Sequence, residues 1–179
     1  PGGGARGAAT LSPRGRDALL ESPLVDPAWV GAQLGREVPD RAAAVDALVA
    51  QPDLSPHPLF LAEYVEGRFG RPGRGKVPLS WYLNNGWARR KASPHPLVDL
   101  DAIVEQHPEA GEARLGPLTW WLEQATPESV LPHAPGAPAV TLAQVRALSE
   151  AAVAEWRDHA RLRNAPRTTP HEPTDLVEA

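Results

Sequence analysis

Apolar positions along this chain fall into short clusters separated by proline or glycine, and their spacing is helical rather than alternating. One segment is longer. Leu142, Val145, Leu148, Ala152 and Trp156 recur every three or four residues and predict one apolar helical stripe. Thr141-Leu142-Ala143-Gln144 has the capping-box form, with a hydroxyl at the cap and an amide three residues on. Asn164 and Pro166 stop the pattern, which predicts an amphipathic helix over 141–164. Strand signals are weak, since the chain has one isoleucine and proline breaks nearly every apolar run.

Upstream the pattern repeats. Ser22-Pro23-Leu24-Val25-Asp26, Ser55-Pro56-His57-Pro58-Leu59-Phe60 and Ser93-Pro94-His95-Pro96-Leu97-Val98-Asp99 stand at matching places, with steps of 35 residues from Pro23 to Pro58 and 38 from Pro58 to Pro96. Helical arrays show such periods, because one small unit cannot bury its apolar face alone. Pro78-Leu79-Ser80-Trp81-Tyr82-Leu83 and Pro117-Leu118-Thr119-Trp120-Trp121-Leu122 follow the second and third landmarks, with a degenerate counterpart in Val45-Asp46-Ala47-Leu48. Each unit therefore reads as two short helices. Asp26 and Asp99 are placed to cap first helices, whereas the second unit has Leu61 there. The expected fold is all-α: tandem units of two short helices with proline-rich elbows at 22–54, 55–92 and 93–133, then the longer amphipathic helix. Residues 1–20 read as a flexible tail ordered only near Asp17–Leu20, 134–140 as a linker and 165–179 as a linker or tail.

Composition narrows the chemistry. There are 179 residues, 42% hydrophobic and 22% charged, close to a globular average. The chain has no cysteine, which excludes a thiol nucleophile, a disulfide framework and thiolate zinc sites. It has no methionine either, which suggests a processed chain or a piece of a longer one. No apolar stretch is long enough to span a membrane. The net charge of −4 is segregated: residues 66–91 carry seven basic groups against Glu66, between two acidic segments. A chain that is acidic overall is not expected to bind nucleic acid.

The pattern S-P-H-P-L-[FV]-[DL], a short helix, then P-L-x-W-[YW]-L resembles a repeat of bacterial polysaccharide-synthesis proteins, where it flanks glycosyltransferase domains of capsule, rhamnan-type and exopolysaccharide biosynthesis. The resemblance covers roughly residues 22–133. The chain departs from it at 67–75, a Gly/Arg-rich stretch where an N-P-D-like helix end is usual; Gln106-His107-Pro108-Glu109 is nearer to that pattern. The resemblance implies a small helical accessory region and transfers no active site.

Candidate chemistry is sparse. Residues 70–76 have the glycine and lysine spacing of a phosphate-binding loop, but Val77 stands where a hydroxyl is needed and no apolar strand precedes them. Arg68, Arg71, Arg74, Lys76, Arg89 and Arg90 are the anion-binding candidates, for phosphates or an anionic surface. Asp99-Leu100-Asp101 fits a D-x-D metal pattern, with helix capping as the simpler account of Asp99. No two of the six histidines form an i, i+4 pair, and His57 and His95, each between prolines, are expected to hydrogen-bond a neighbouring unit. Trp81, Trp87 and Trp120 are the glycan-stacking candidates; core packing is the better reading for all but Trp87.

Together these features predict a helical accessory or interaction module that itself catalyses nothing and needs no cofactor or metal. Implied by the resemblance, its partner is the catalytic domain of a parent glycosyltransferase or another protein, with polysaccharide or anionic lipid as further candidates, at the cytoplasmic side. The alternatives are a free-standing carbohydrate- or anionic-surface-binding module and a small metal-dependent enzyme using Asp99 and Asp101.

Overall fold

The computed structural model describes residues 7–70, 72–73, 75–84 and 92–164, with side chains as far as 158. Among them the chain is all-α: α1 (Pro13–Glu21), α2 (Pro27–Leu34), α3 (Arg41–Ala50), α4 (Ala62–Phe69), α5 (Pro78–Asn84), α6 (Leu100–Gln106), a 3₁₀ turn (Pro108–Glu112), α7 (Pro117–Gln124) and α8 (Leu142–Asn164). The only strand-like pairing among the described residues is an isolated antiparallel bridge between Val130 and Thr141.

Local chemistry explains the helix starts. Asp26 and Asp40 accept the third backbone N–H of α2 and α3 at 3.1 and 2.8 Å. Asp99 accepts from Asp101 N at 2.9 Å. Leu61 makes no side-chain cap, as its apolar nature requires. At α8 the capping box is present in both directions: Gln144 N donates to Thr141 Oγ1 (3.2 Å) and Thr141 N to Gln144 Oε1 (2.9 Å).

One expectation about the elements needs correction. The segment 1–20 is not a tail throughout, because α1 begins at Pro13, behind a Ser12 side-chain cap on Gly15 N. Ala18 and Leu19 are buried, and Gly15 lies so close to α5 that a Cβ there would meet Ser80 Oγ at 2.9 Å. Upstream of α1, Ala9 N donates to Val49 O (2.7 Å). The amphipathic helix forms as α8, and its apolar stripe is mostly uncovered: Val145 is buried, but Leu148 and Trp156 are 67% and 63% exposed. This helix packs chiefly on α2, and polar anchors hold it there. Arg146 bonds the Asp26 cap at the start of α2, and Arg157 donates to Ala32 O near its end. The two helices therefore run side by side in the same direction.

One continuous core joins the elements, built from Leu19, Leu24, Val30, Leu48, Phe60, Tyr82, Ile103 and Leu131 among others. At its centre Phe60 and Tyr82 meet edge to face, with ring centroids 5.4 Å apart. Tyr82 buries its ring and satisfies its hydroxyl by donating to Ala92 O at 2.5 Å. Burial raises the phenol above its ordinary range.

Candidate functional site

The proline-rich elbows are β-turns of one design. Val25 N donates to Ser22 O (3.1 Å), Phe60 N to His57 O (2.9 Å) and Val98 N to His95 O (3.1 Å), with Pro23, Pro58 and Pro96 at the second turn position that proline favours. The first side chain of each turn accepts the N–H two residues on. Ser22 Oγ takes Leu24 N at 3.2 Å, His57 Nδ1 takes Leu59 N at 2.9 Å, and His95 Nδ1 takes Leu97 N at 3.1 Å. The histidines thus bond within their own turns rather than across to a neighbour. Successive elbows are tied by backbone: Asp26 N to Pro56 O (2.9 Å), Leu61 N to Pro94 O (3.0 Å) and Asp99 N to Pro132 O (2.8 Å).

An imidazole whose Nδ1 accepts an N–H must be unprotonated there. Burial pushes His57 down to about 4, against the attraction of Asp26 and assisted by Arg146 and His95. Burial lowers His95 as well. For Asp26, burial works to raise the pKa, but the bonds from Arg146 and Trp29 N outweigh it and hold the carboxylate below its ordinary value. These groups are occupied in building the frame.

An open cleft of about 410 Å³ lies between α4 and the third elbow, walled by Tyr64, Arg68, Ser93, Leu97, Asp99 and Pro138. Arg68 lies over the rings of Tyr64 and Phe69, 5.4 and 5.7 Å from their centroids, and its Nη1 donates to Tyr64 OH at 3.2 Å. A second hollow, of about 550 Å³, lies where α8 crosses Leu34 and Leu54, and Trp156 forms part of its wall.

Of the predicted anion-binding and glycan-stacking residues that are described, only Arg68 lines the cleft beside α4, and Lys76 is exposed on the segment before α5. Arg71, Arg74, Trp87, Arg89 and Arg90 lie outside the described residues. Trp81 and Trp120 are half-buried against the core, and Trp120 also meets the His107 ring at 4.9 Å. Gly70 and Gly75 adopt positive φ, and the element before them is α4 rather than the strand that a phosphate-binding loop requires. Asp99 caps α6, and no group of three His, Asp or Glu among the described residues is arranged to hold a metal ion. No described helix is long and apolar enough to cross a membrane.

Sequence reasoning passed over Tyr64 and Arg146. The i, i+4 spacing of Tyr64 and Arg68 on one helix was a usable signal. Nothing local marks Arg146, whose partner Asp26 is 120 residues away. Compared with known proteins, the chain matches no family model, no curated protein and no solved structure.

Proposed function

We propose that this chain is a helical accessory module of a bacterial glycosyltransferase engaged in cell-surface polysaccharide assembly, and that it positions the catalytic domain, a partner protein or the glycan acceptor. The observation that supports an interaction role is how the motif's own polar groups are used. His57 and His95, the most chemically versatile residues of the repeated S-P-H-P-L pattern, are buried and spend Nδ1 on the amide two residues on. Asp26 and Asp99 spend an oxygen on helix starts. A motif whose reactive groups are consumed in turn and cap chemistry repeats to build a surface, since a general base needs a free lone pair within reach of its substrate. The link to glycosyl transfer rests on the resemblance of residues 22–133.

The test has two arms. The reading frame and its neighbouring genes are sequenced, and the tagged full chain is recovered from its native cell with whatever co-elutes. A nucleotide-sugar transferase in the same frame, or one that co-elutes in stoichiometric amount, is the expected result. A frame and an eluate without any transferase overturn the proposal.

A further inference from the structure

Two junctions of this chain are built alike and finished differently. At the first, Trp29 Nε1 donates to Ser55 Oγ (3.1 Å), while Gln33 Nε2 donates to Ser55 O (2.7 Å) and Gln33 Oε1 accepts from Ser55 N (2.9 Å). These bonds tie α2 to the following elbow. Tyr64 and Arg68 stand 35 residues after Trp29 and Gln33, and Ser93 stands 38 after Ser55. At this second junction Arg68 bonds Tyr64 instead, and the 410 Å³ cleft opens in front of Ser93. Its size is within the range of roughly 300–1,000 Å³ that small-molecule sites occupy.

The lining selects a ligand class. Arg68 offers only donors. Asp99 offers only acceptors: its Oδ1 holds Asp101 N, and Oδ2 has no partner among the described residues. The rest of the wall is mixed, with Tyr64 and Ser93 beside the apolar Pro96, Leu97, Ala137 and Pro138. Among the described lining residues, a phosphate or sulfate meets the Asp99 carboxylate and an ammonium group meets the Arg68 guanidinium, so each isolated charge faces one like charge. An extended peptide finds no backbone N–H at Pro96 or Pro138 with which to pair. Hydroxyl groups suit both sides at once, since each can donate to Asp99 or accept from Arg68, while ring C–H groups cover the apolar part of the wall.

We propose that this cleft binds a neutral pyranose residue of a glycan, with Arg68 and Asp99 as the hydroxyl-recognising pair. It names a ligand for the module proposed above and rests on that reading only for where the glycan comes from. Tyr64 acts as a positioning residue, since its hydroxyl and ring hold the guanidinium at the rim.

The experiment is amide-resolved NMR titration of the full chain with methyl glucoside, galactoside, mannoside and rhamnoside, with inorganic phosphate and a proline-rich peptide as comparison probes. At least one glycoside is expected to give saturable shifts at the amides of Leu97, Asp99, Leu100 and Ala137. Arg68→Ala and Asp99→Asn should each weaken that binding at least tenfold. Asparagine keeps the oxygen that caps α6, so Asp99→Asn retains the wild-type helical circular dichroism and reports on recognition. Absence of saturable shifts with every glycoside up to ~50 mM overturns the assignment, as do shifts centred on Trp81 or Trp120, or binding of phosphate or peptide here in place of sugar. A transferase that still co-elutes in that case leaves the accessory role standing, whereas sugar binding without any transferase keeps the cleft and removes that role.

Discussion

Mild acid should destabilise this protein well before its carboxylates protonate. In the fold His57 is 4% exposed, its Nδ1 accepts Leu59 N, and its pKa stands at about 4 against an ordinary 6.5. The unfolded chain therefore takes up a proton between those values that the folded chain refuses, and stability falls as pH drops through the window. Above 6.5 the native state keeps its full advantage. Each pKa unit is worth about 1.4 kcal/mol, so the loss from this one ring is about 2 kcal/mol by pH 5 and about 3 kcal/mol by pH 4. His95, lowered by burial in the same way, adds to it in the same direction. Asp26 acts in a different window. Burial opposes its ionisation, but Arg146 and Trp29 N hold its pKa below 3.8, so its contribution persists above that value and is lost only as pH falls further. The assay is urea unfolding of the wild type and of His57→Asn at pH 7.5, 6, 5 and 4.5, followed by tryptophan fluorescence and circular dichroism. Asparagine can accept the same turn N–H, as Ser22 does in the first elbow, but it does not titrate. The variant should lose about 2 kcal/mol less than the wild type between pH 7.5 and 5. Because the other histidines are common to both proteins, the difference isolates His57. Parallel slopes for the two proteins, or a wild type that is flat from pH 7.5 to 5, would refute the reasoning.

Other consequences follow from single contacts. Tyr82→Phe removes the donor to Ala92 O in the core, so it should cost about 1–3 kcal/mol in the same unfolding assay while leaving the helical signal intact. Asp26→Ala removes the α2 cap and the Arg146 partner together and should cost more than Asp26→Asn, which keeps a capping oxygen; a difference of about 1 kcal/mol or more is expected at pH 7. Gly31→Ala places a Cβ 2.7 Å from Arg36 O, and it should destabilise by about 1–3 kcal/mol although alanine is the better helix former. Leu148→Lys, on the exposed side of α8, should change stability by less than about 0.5 kcal/mol; a core-sized loss would show that the stripe is covered after all.

What was legible in the sequence follows the range of the interaction. Helix starts are short-range chemistry: Asp26 before Pro27, the Thr141–Gln144 box and Pro117 at the head of α7 act within three or four residues, and each stands where its pattern predicts. The all-helical class follows from the same source. Burial is long-range, and periodicity does not reach it. The periodicity of Leu142, Val145, Leu148, Ala152 and Trp156 is genuine, yet periodicity tells only that one face is apolar. Whether a neighbour covers that face depends on where Arg146 and Arg157 fasten the helix, and both partners belong to α2, more than a hundred residues earlier. Conversely, the glycine-rich, weakly basic start concealed α1. Gly15 is there for close approach to α5, a contact that composition reads as flexibility.

The candidate site was hidden for a related reason, which bears on how repeats acquire binding surfaces. The motif residues drew attention because they recur, and recurrence selects for what every elbow needs: a proline at the second turn position and a side chain that accepts the N–H two residues on. Such residues are consumed by the frame. A binding surface arises where equivalent positions differ, as Trp29 and Gln33 differ from Tyr64 and Arg68. Indole and carboxamide each offer a donor to Ser55, and Gln33 adds an acceptor, so they close the first junction. A guanidinium has no acceptor to return to a backbone N–H, and a tyrosine hydroxyl within its reach offers it a partner on the same helix. Arg68 therefore bonds Tyr64, and the junction before Ser93 stays open. If that exchange opens the cleft, Arg68→Gln combined with Tyr64→Trp should close it. The double variant should bond Ser93 as the first junction bonds Ser55, gain protection of the Ser93 amide against hydrogen exchange, and lose glycoside binding together with that gain. Unchanged exchange at Ser93 would mean that the backbone path of the third elbow, rather than these two side chains, holds the cleft open.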